Sequence, residues 1–310
     1  MISDYSLKEK FIKKYKDAQL EDIIPGLVVK TLNRSCYKIE TKLPLTIKTV
    51  SFSKTWELLG SDLKLVRGIG NVTEQKLKAK NIKTIADLLF HVKYNVDAER
   101  FLDFLNNKNT IAVLNWISKR HSVSSIYNIY VSGLHHLEDF LFLDIETLGL
   151  SLEPIILIGI GQVSENNITV HQYLARNLNE EYAILAETLK HIHKNSALVT
   201  FNGRKFDVPY LRSRSLTHSI EAWYNVPNFD ILPISRVAWA NVPDHRLGTL
   251  EKLVGVEREE DLPSALVPDF YNTYLETGNV GPLVPIITHN RQDIVSLAAL
   301  FSKLIEETLS

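Results

Sequence analysis

Thiol chemistry is almost absent from this chain: Cys36 is the only cysteine in 310 residues. No intramolecular disulfide is possible, and no zinc cluster can be built from thiolates. Long apolar runs are missing too. Nothing approaches the ~20 consecutive apolar residues that span a bilayer. Met1-Ile2-Ser3-Asp4 leads into a lysine-rich amphipathic stretch, without the apolar centre of a signal peptide. The expectation is a soluble, cytoplasmic protein with no membrane partner. Internal repeats and low-complexity tracts are also lacking. Net charge is only −1, but that near-absence conceals a division. Residues 1–137 hold 22 Lys and Arg against 13 Asp and Glu, and the remainder holds 13 against 23. A basic front attracts phosphate and an acidic back holds cations, unless the charges merely dress solvated faces.

What is present is a change of pattern along the chain. A hydrophobic fraction of 45% supplies an ordinary globular core, and the length suits one large or two modest domains. Residues 5–20 read as a surface helix. Val28–Thr31 and Cys36–Glu40 read as a hairpin around Leu32-Asn33-Arg34-Ser35. Residues 61–91 are helical and punctuated by glycine, and residues 95–118 carry apolar positions at helical spacing. A polar stretch near His121–Asn128 reads as a boundary. Strand candidates follow at Phe140–Glu146, Ile155–Val163, Ile168–Leu174 and Ala197–Phe201. Helices are predicted at Asn179–Lys194, Phe206–Arg214, Ile231–Ala240, Thr249–Val254 and Asn290–Leu309. The expected division is 1–60 as a helix and hairpin extension, 61–130 as a helical region and 138–310 as an α/β domain with a mixed sheet.

Three acidic segments stand out in the α/β part. Asp144 and Glu146 are two apart on a predicted strand, so both point to one face. Leu141, Leu143 and Ile145 mark that strand as central, where two carboxylates cost several kcal/mol without cations. An Asp-x-Glu pattern alone is weak, because surface strands show it often. Asp207 follows the strand Ala197–Phe201 after Asn202-Gly203, at a strand end where sites gather. A plain turn and an exposed helix start explain that segment equally. Asp293 falls in the predicted first turn of the last helix, where Asn290 as N-cap is the structural alternative. Asp230 reads as a helix cap or as support for the other acids. The pairs His135-His136 and His191/His193 have the wrong spacing for zinc.

Taken together, Asp144-x-Glu146 on a strand, Asn202-x-x-x-Phe206-Asp207 after another, and His289-x-x-x-Asp293 on a C-terminal helix resemble the DEDD 3′-5′ exonuclease superfamily on a ribonuclease H-like fold. Arg246-Leu-Gly-Thr-Leu-Glu251, Asp261-Leu-Pro-Ser264, Val267-Pro268, Tyr271, Tyr274 and Asp293-Ile-Val-Ser-Leu297 look like its YprB-like branch, as do Ser35–Glu40 with Pro44-Leu45. The resemblance implies that Asp144, Glu146, Asp207 and Asp293 hold two ions, Mg²⁺ or Mn²⁺, ~3.5–4 Å apart, for phosphodiester hydrolysis. Asn202 reads from its place after the strand as a group that hydrogen-bonds substrate or orients a carboxylate. The superfamily's general base is a Tyr four residues before the last Asp or a His five before it. Here His289 stands at the Tyr spacing and Thr288 at the His spacing, so His289 as the base is a departure from both patterns.

The basic part has its own signal in Leu65-Val-Arg-Gly-Ile-Gly-Asn-Val-Thr-Glu-Gln-Lys-Leu77. Asn71 with Glu74 reads as a helix start, and Leu77, Ile82, Ile85 and Leu88 supply a small core. Thr84 with Asp87 reads as a further helix start. The segment resembles a helix-hairpin-helix module, which grips nucleic-acid backbone without reading sequence. That implies contacts from Arg67, Gly68, Ile69, Gly70 and Lys76. The substrate expectation is nucleic acid, DNA ahead of RNA, with a protein partner from DNA repair or replication. The rivals are an inactive nucleic-acid-binding protein on a nuclease fold, and a scaffold that docks a helicase or polymerase through residues 61–118.

Overall fold

The structure is a computed structural model and describes residues 4–32, 34–220, 225–256, 258 and 262–309. Met1, Ile2 and Ser3, Asn33 of the predicted hairpin turn and Asp261 of the 261–264 segment lie outside the described residues. Helices α1 (Asp4–Lys14) and α2 (Leu20–Ile23) precede strands β1 (Gly26–Thr31) and β2 (Arg34–Pro44). Then come α3 (Phe52–Gly60), α4 (Asn71–Ala79), α5 (Asn95–Asn106), α6 (Thr110–Ser118) and α7 (Tyr127–Val131). The remainder runs β3 (Phe140–Thr147), β4 (Ile155–Ser164), β5 (Asn167–Leu174), α8 (Glu181–Leu189), β6 (Ala197–Thr200) and α9 (Asp207–Thr217). It ends with β7 (Asn228–Asp230), α10 (Ile231–Ala238), α11 (Leu247–Leu250), α12 (Val267–Thr277) and α13 (Leu283–Leu309).

All seven strands form one mixed sheet in the order β1-β2-β5-β4-β3-β6-β7. The first five in that order pair antiparallel, while β6 runs parallel to β3 and β7 parallel to β6. Parallel neighbours need crossovers, and α8 and α9 provide them. The hairpin of residues 26–44 is thus the sheet's far edge, packed into the α/β part rather than standing apart with residues 1–60. Alternation sorts β3 cleanly. Phe140 and Phe142 join one core cluster, and Leu141, Leu143 and Ile145 join the cluster on the opposite face. Helix α13 covers the first face, with Phe301 ring centroids 5.2 Å from Phe140 and 6.0 Å from Phe142.

Helix α13 starts at Leu283, not at Asn290. Pro285 is no obstacle, because a first-turn residue has no intrahelical partner for its missing N–H. Leu283, Ile286 and Ile287 carry the buried stripe through that added length. The N-cap alternative for Asn290 and the first-turn placement of Asp293 are therefore overturned. Glycine on β4 lets the helix lie close. A Cβ at Gly159 would stand 2.2 Å from Ile294 Cδ1 and 2.3 Å from Asn290 Oδ1.

The helical segment shares its core with the sheet. Leu65, Ile69, Leu77, Leu88, Phe101 and Trp116 belong to the same buried cluster as Val131, Leu134, Phe140 and Phe301. Thr55 Oγ1 donates to the Tyr130 carbonyl at 2.6 Å, tying α3 to α7 across the stretch read as a boundary. Helix α4 is capped by Gly70, one residue before the predicted Asn71. The Thr84–Asp87 start is formed: the Thr84 amide donates to Asp87 at 2.8 Å and the Asp87 amide to Thr84 Oγ1 at 3.2 Å. Among the described residues, no helix is long and apolar enough to cross a membrane.

Candidate active site

Asp144, Glu146, Asp207 and Asp293 line one cavity of about 720 Å³ with Asn202, His245, Arg246, Ser264 and His289. Three distant stretches of chain bring the carboxylates together there because β3 is central. Asp144 and Glu146 rise from its α13 side, Asp207 opens α9 beyond the end of neighbouring β6, and α13 crosses above with Asp293. The turn between β6 and α9 is built by two residues with different tasks. Asn202 takes the left-handed conformation, φ 66°. Gly203 is required for space, since a Cβ would lie 2.4 Å from Thr200 Cβ. Asp230 holds this turn by accepting from the Asn202 amide at 2.8 Å and the Arg204 amide at 3.2 Å. It also caps α10 through the Leu232 amide, so the cap and support readings both apply.

A buried polar chain positions Asp144. The Asn290 carboxamide, fully buried, donates to Asp144 Oδ2 at 2.7 Å and accepts from Gln172 Nε2 at 2.8 Å. Gln172 also donates to the Ile287 carbonyl at 2.8 Å. Asp144, Gly159 and Gln172 are register neighbours across β3, β4 and β5. Asn290 lies over the glycine between them. Gln172 was invisible from sequence, since a lone glutamine in an apolar strand carries no motif. Its only trace is a polar residue in a predicted buried strand.

The second half of the cavity is tied to an arginine that the sequence reading passed over. Arg258 grips Glu251 with two bonds, Nε to Oε2 at 2.7 Å and Nη2 to Oε1 at 2.9 Å. It also bonds Asp293 and donates through Nη1 to His289 Nδ1 at 3.0 Å. Ser296 Oγ completes Glu251, donating to it at 2.5 Å. An arginine only donates, so His289 Nδ1 is bare of hydrogen. The neutral ring then carries its proton on Nε2, which faces Ser264 Oγ at 3.2 Å and Asp293 Oδ2 at 3.5 Å. Both nitrogens of the proposed base are thus engaged. His245 differs: the residue lines the same cavity, and its Nε2 is buried with no hydrogen-bond partner among the described residues.

The carboxylates are electrostatically incomplete. Desolvation pushes Asp144 well above the usual range, reinforced by the charges of Asp293, Glu146 and Asp207. Glu146 is raised likewise, by burial and then by Asp293 and Asp207. Burial lifts Asp207 to about 7 against backbone amides that favour its ionised form. Asp293 is raised by burial, against the lowering influence of His289 and Arg258. Among the described residues, no three such side chains already converge as a closed ligand shell. Asn290 donates to Asp144 and Arg258 bonds Asp293. The donor set is all hard carboxylate oxygen, which suits Mg²⁺ or Mn²⁺ and not a thiophilic ion.

Arg67, Gly68, Ile69, Gly70 and Lys76 line no part of this cavity. Gly68 has a φ of 84°, and Arg67 and Lys76 are exposed. Ile69 is buried in the core, which leaves only its backbone to meet a ligand. The histidine pairs are engaged elsewhere: His135 with Thr110 Oγ1 at 2.8 Å and His191 with Tyr173 Oη at 2.6 Å.

Residues 141–305 match the sequence model of the RNase_H superfamily. The chain is also 30% identical over 208 residues to the Uncharacterized protein YprB of Bacillus subtilis (strain 168), covering 62% of this chain and 50% of that protein. It therefore spans about half the length of this curated relative. The family match takes in more than half of the chain and contains all four cavity carboxylates, so the protein belongs to the RNase H superfamily.

Proposed function

We propose that this protein is a metal-dependent nuclease of the DEDD type that removes nucleotides from 3′ ends, on DNA ahead of RNA. One observation carries the reading: four carboxylates from distant segments line one cavity and are held where ionisation is disfavoured. Such a group becomes stable when cations enter. Asp144, Glu146, Asp207 and Asp293 would hold two ions, Mg²⁺ or Mn²⁺. When bound, the ions would supply an activated water and charge stabilisation for in-line displacement at phosphorus. Asn290 and Gln172 fix Asp144, and Asp230 fixes the turn that presents Asn202 to substrate.

The proton of the attacking water goes to His289 in this reading. Its Nδ1 becomes available only after Arg258 withdraws, so Arg258 couples base release to loading of Asp293. The 3′-5′ polarity and the YprB-like assignment rest on the resemblance in motifs. Residues 61–130 are proposed to hold the strand, with the Gly68–Gly70 hairpin as a helix-hairpin-helix contact. Action in the cytoplasm, with a partner from DNA repair or replication, belongs to the same proposal. The Arg258 contacts also favour a second reading, an inactive binding protein whose arginine permanently replaces the ions.

The test is end-labelled single-stranded and duplex DNA and RNA, incubated with Mg²⁺, Mn²⁺ or EDTA beside Asp144→Asn. Metal-dependent shortening from the 3′ end, lost in the variant, is the expected result. Binding without cleavage in either metal would replace the nuclease with the binding protein.

A further inference from the structure

A second charged feature lies in the helical segment, outside the carboxylate cavity. Arg67, Arg100, Lys119 and Arg120 line a cavity of about 310 Å³ with Trp116 and a single carboxylate, Asp97. These residues are far apart in sequence and are brought together by α5, α6 and the loop before α4. Trp116 and Arg120 are anchored on the same acceptor, the Leu65 carbonyl, at 2.7 and 2.8 Å. Arg120 and Lys119 both stand over the Trp116 ring, each 5.6 Å from its centroid. None of the four cations forms an ion pair with a carboxylate among the described residues. Burial disfavours the charged form of Arg120, opposed by the charge of Asp97 and aided to a lesser extent by Arg67. Four cations around one acid leave a local excess of positive charge, which attracts an anion.

The same helical segment carries large apolar groups in the open. Phe90 is 93% exposed and Val92 96% exposed, in the short turn that leads into α5. Tyr94 closes that turn, and its ring is the nearest group to a Cβ at Gly68, at 3.7 Å. On α5, exposed Val96 precedes Arg100 by one turn. Cations that hold phosphates next to an open aromatic face are the arrangement that binds single-stranded nucleic acid without reading its sequence.

We infer that this face is a track for a single strand, with phosphates seated among Arg67, Arg100, Lys119 and Arg120 and a base stacked on Phe90. The inference deepens the nuclease reading, which supplies the reason for holding a strand. Charge complementarity selects nucleic acid over a protein occupant, because four cations line the cavity with one carboxylate.

The test is fluorescence anisotropy of the full chain in EDTA, with a labelled mixed-sequence single-stranded oligodeoxynucleotide and its duplex, across a salt series. Arg100→Ala with Lys119→Ala should lower the single-strand salt slope by about 1.4, roughly 0.7 for each lost phosphate contact. Arg100→Lys with Lys119→Arg should retain it. Phe90→Ala should weaken single-strand binding about fivefold or more at unchanged slope and leave duplex binding alone. Unchanged slope and unchanged affinity in both variants would overturn the track. Hydrolysis of a small chromogenic phosphodiester with Mn²⁺ is the separate readout of the carboxylate site. It should be equal in wild type and in these variants, and its absence from all of them would remove the nuclease reading without touching the binding result.

Discussion

Replacing Arg258 with alanine tests the charge balance of the site most directly. Glu251 retains 2% of its side-chain exposure and Asp293 14%, and Arg258 bridges them. Removing one partner of a buried pair typically costs about 3–5 kcal/mol, because the other charge is left uncompensated. Ser296 still serves Glu251, and raised protonation of Asp293 relieves part of the penalty. The expected loss is therefore near the lower figure, about 3 kcal/mol, in EDTA. Mn²⁺ should act in the opposite sense. In the wild type an entering ion displaces a guanidinium from Asp293, and in the variant it meets no competing cation. Removal of a like charge at contact range should tighten Mn²⁺ binding at least tenfold, about 1.4 kcal/mol. Urea unfolding in EDTA and calorimetric Mn²⁺ titration measure the two quantities. Arg258→Lys should fall between, since lysine keeps the charge but not the two-pronged grip on Glu251. Stability within about 0.5 kcal/mol of wild type in EDTA, with unchanged Mn²⁺ affinity, would refute the reasoning.

Three further outcomes follow from the same geometry. Gly159→Ala places a methyl against Ile294 and the Asn290 carboxamide. It should cost about 1–3 kcal/mol on thermal or urea unfolding and lower nuclease activity through Asp144, and a neutral result would show that α13 can shift without consequence. Folded Asp207 keeps its proton to about 7, whereas the unfolded carboxyl releases it near pH ~4. The folded state then binds more protons in between, so the site's contribution to stability in EDTA should fall as pH rises from ~4 to about 7. Mn²⁺ should abolish that loss, and stability curves of equal slope with and without Mn²⁺ would count against cation binding at these carboxylates. His245→Ala should leave the melting temperature unchanged but reduce turnover about tenfold or more, the worth of a charged hydrogen bond to substrate. Wild-type turnover in that variant would show that the unpartnered His245 nitrogen takes no part in holding substrate.

Period-two alternation placed Asp144 and Glu146 on one face of a central strand before any coordinates, because the pleat leaves a side chain no other choice. The apolar runs gave the mixed sheet and most helices on the same grounds, and the motif order gave the superfamily. Local rules failed where tertiary packing set the boundary. Helix α13 extends back to Leu283 because its first turns bury Ile286 and Ile287 in a cluster with residues of α12, β2, β4 and β5, which no capping residue announces. Gly70 rather than Asn71 caps α4, with extended backbone and no side-chain cap bond to announce it. The exposed-helix-start alternative for Asp207 fails, because the residue opens α9 and is buried. Arg258, Gln172 and His245 sit in segments without motif character, and the cations around Trp116 come from stretches read only as helix. Such contacts are long-range, and sequence carries them only as ordinary polar residues. Composition and periodicity determined which chemistry this chain could support, and the tertiary structure decided which charges meet and which of them are already paired.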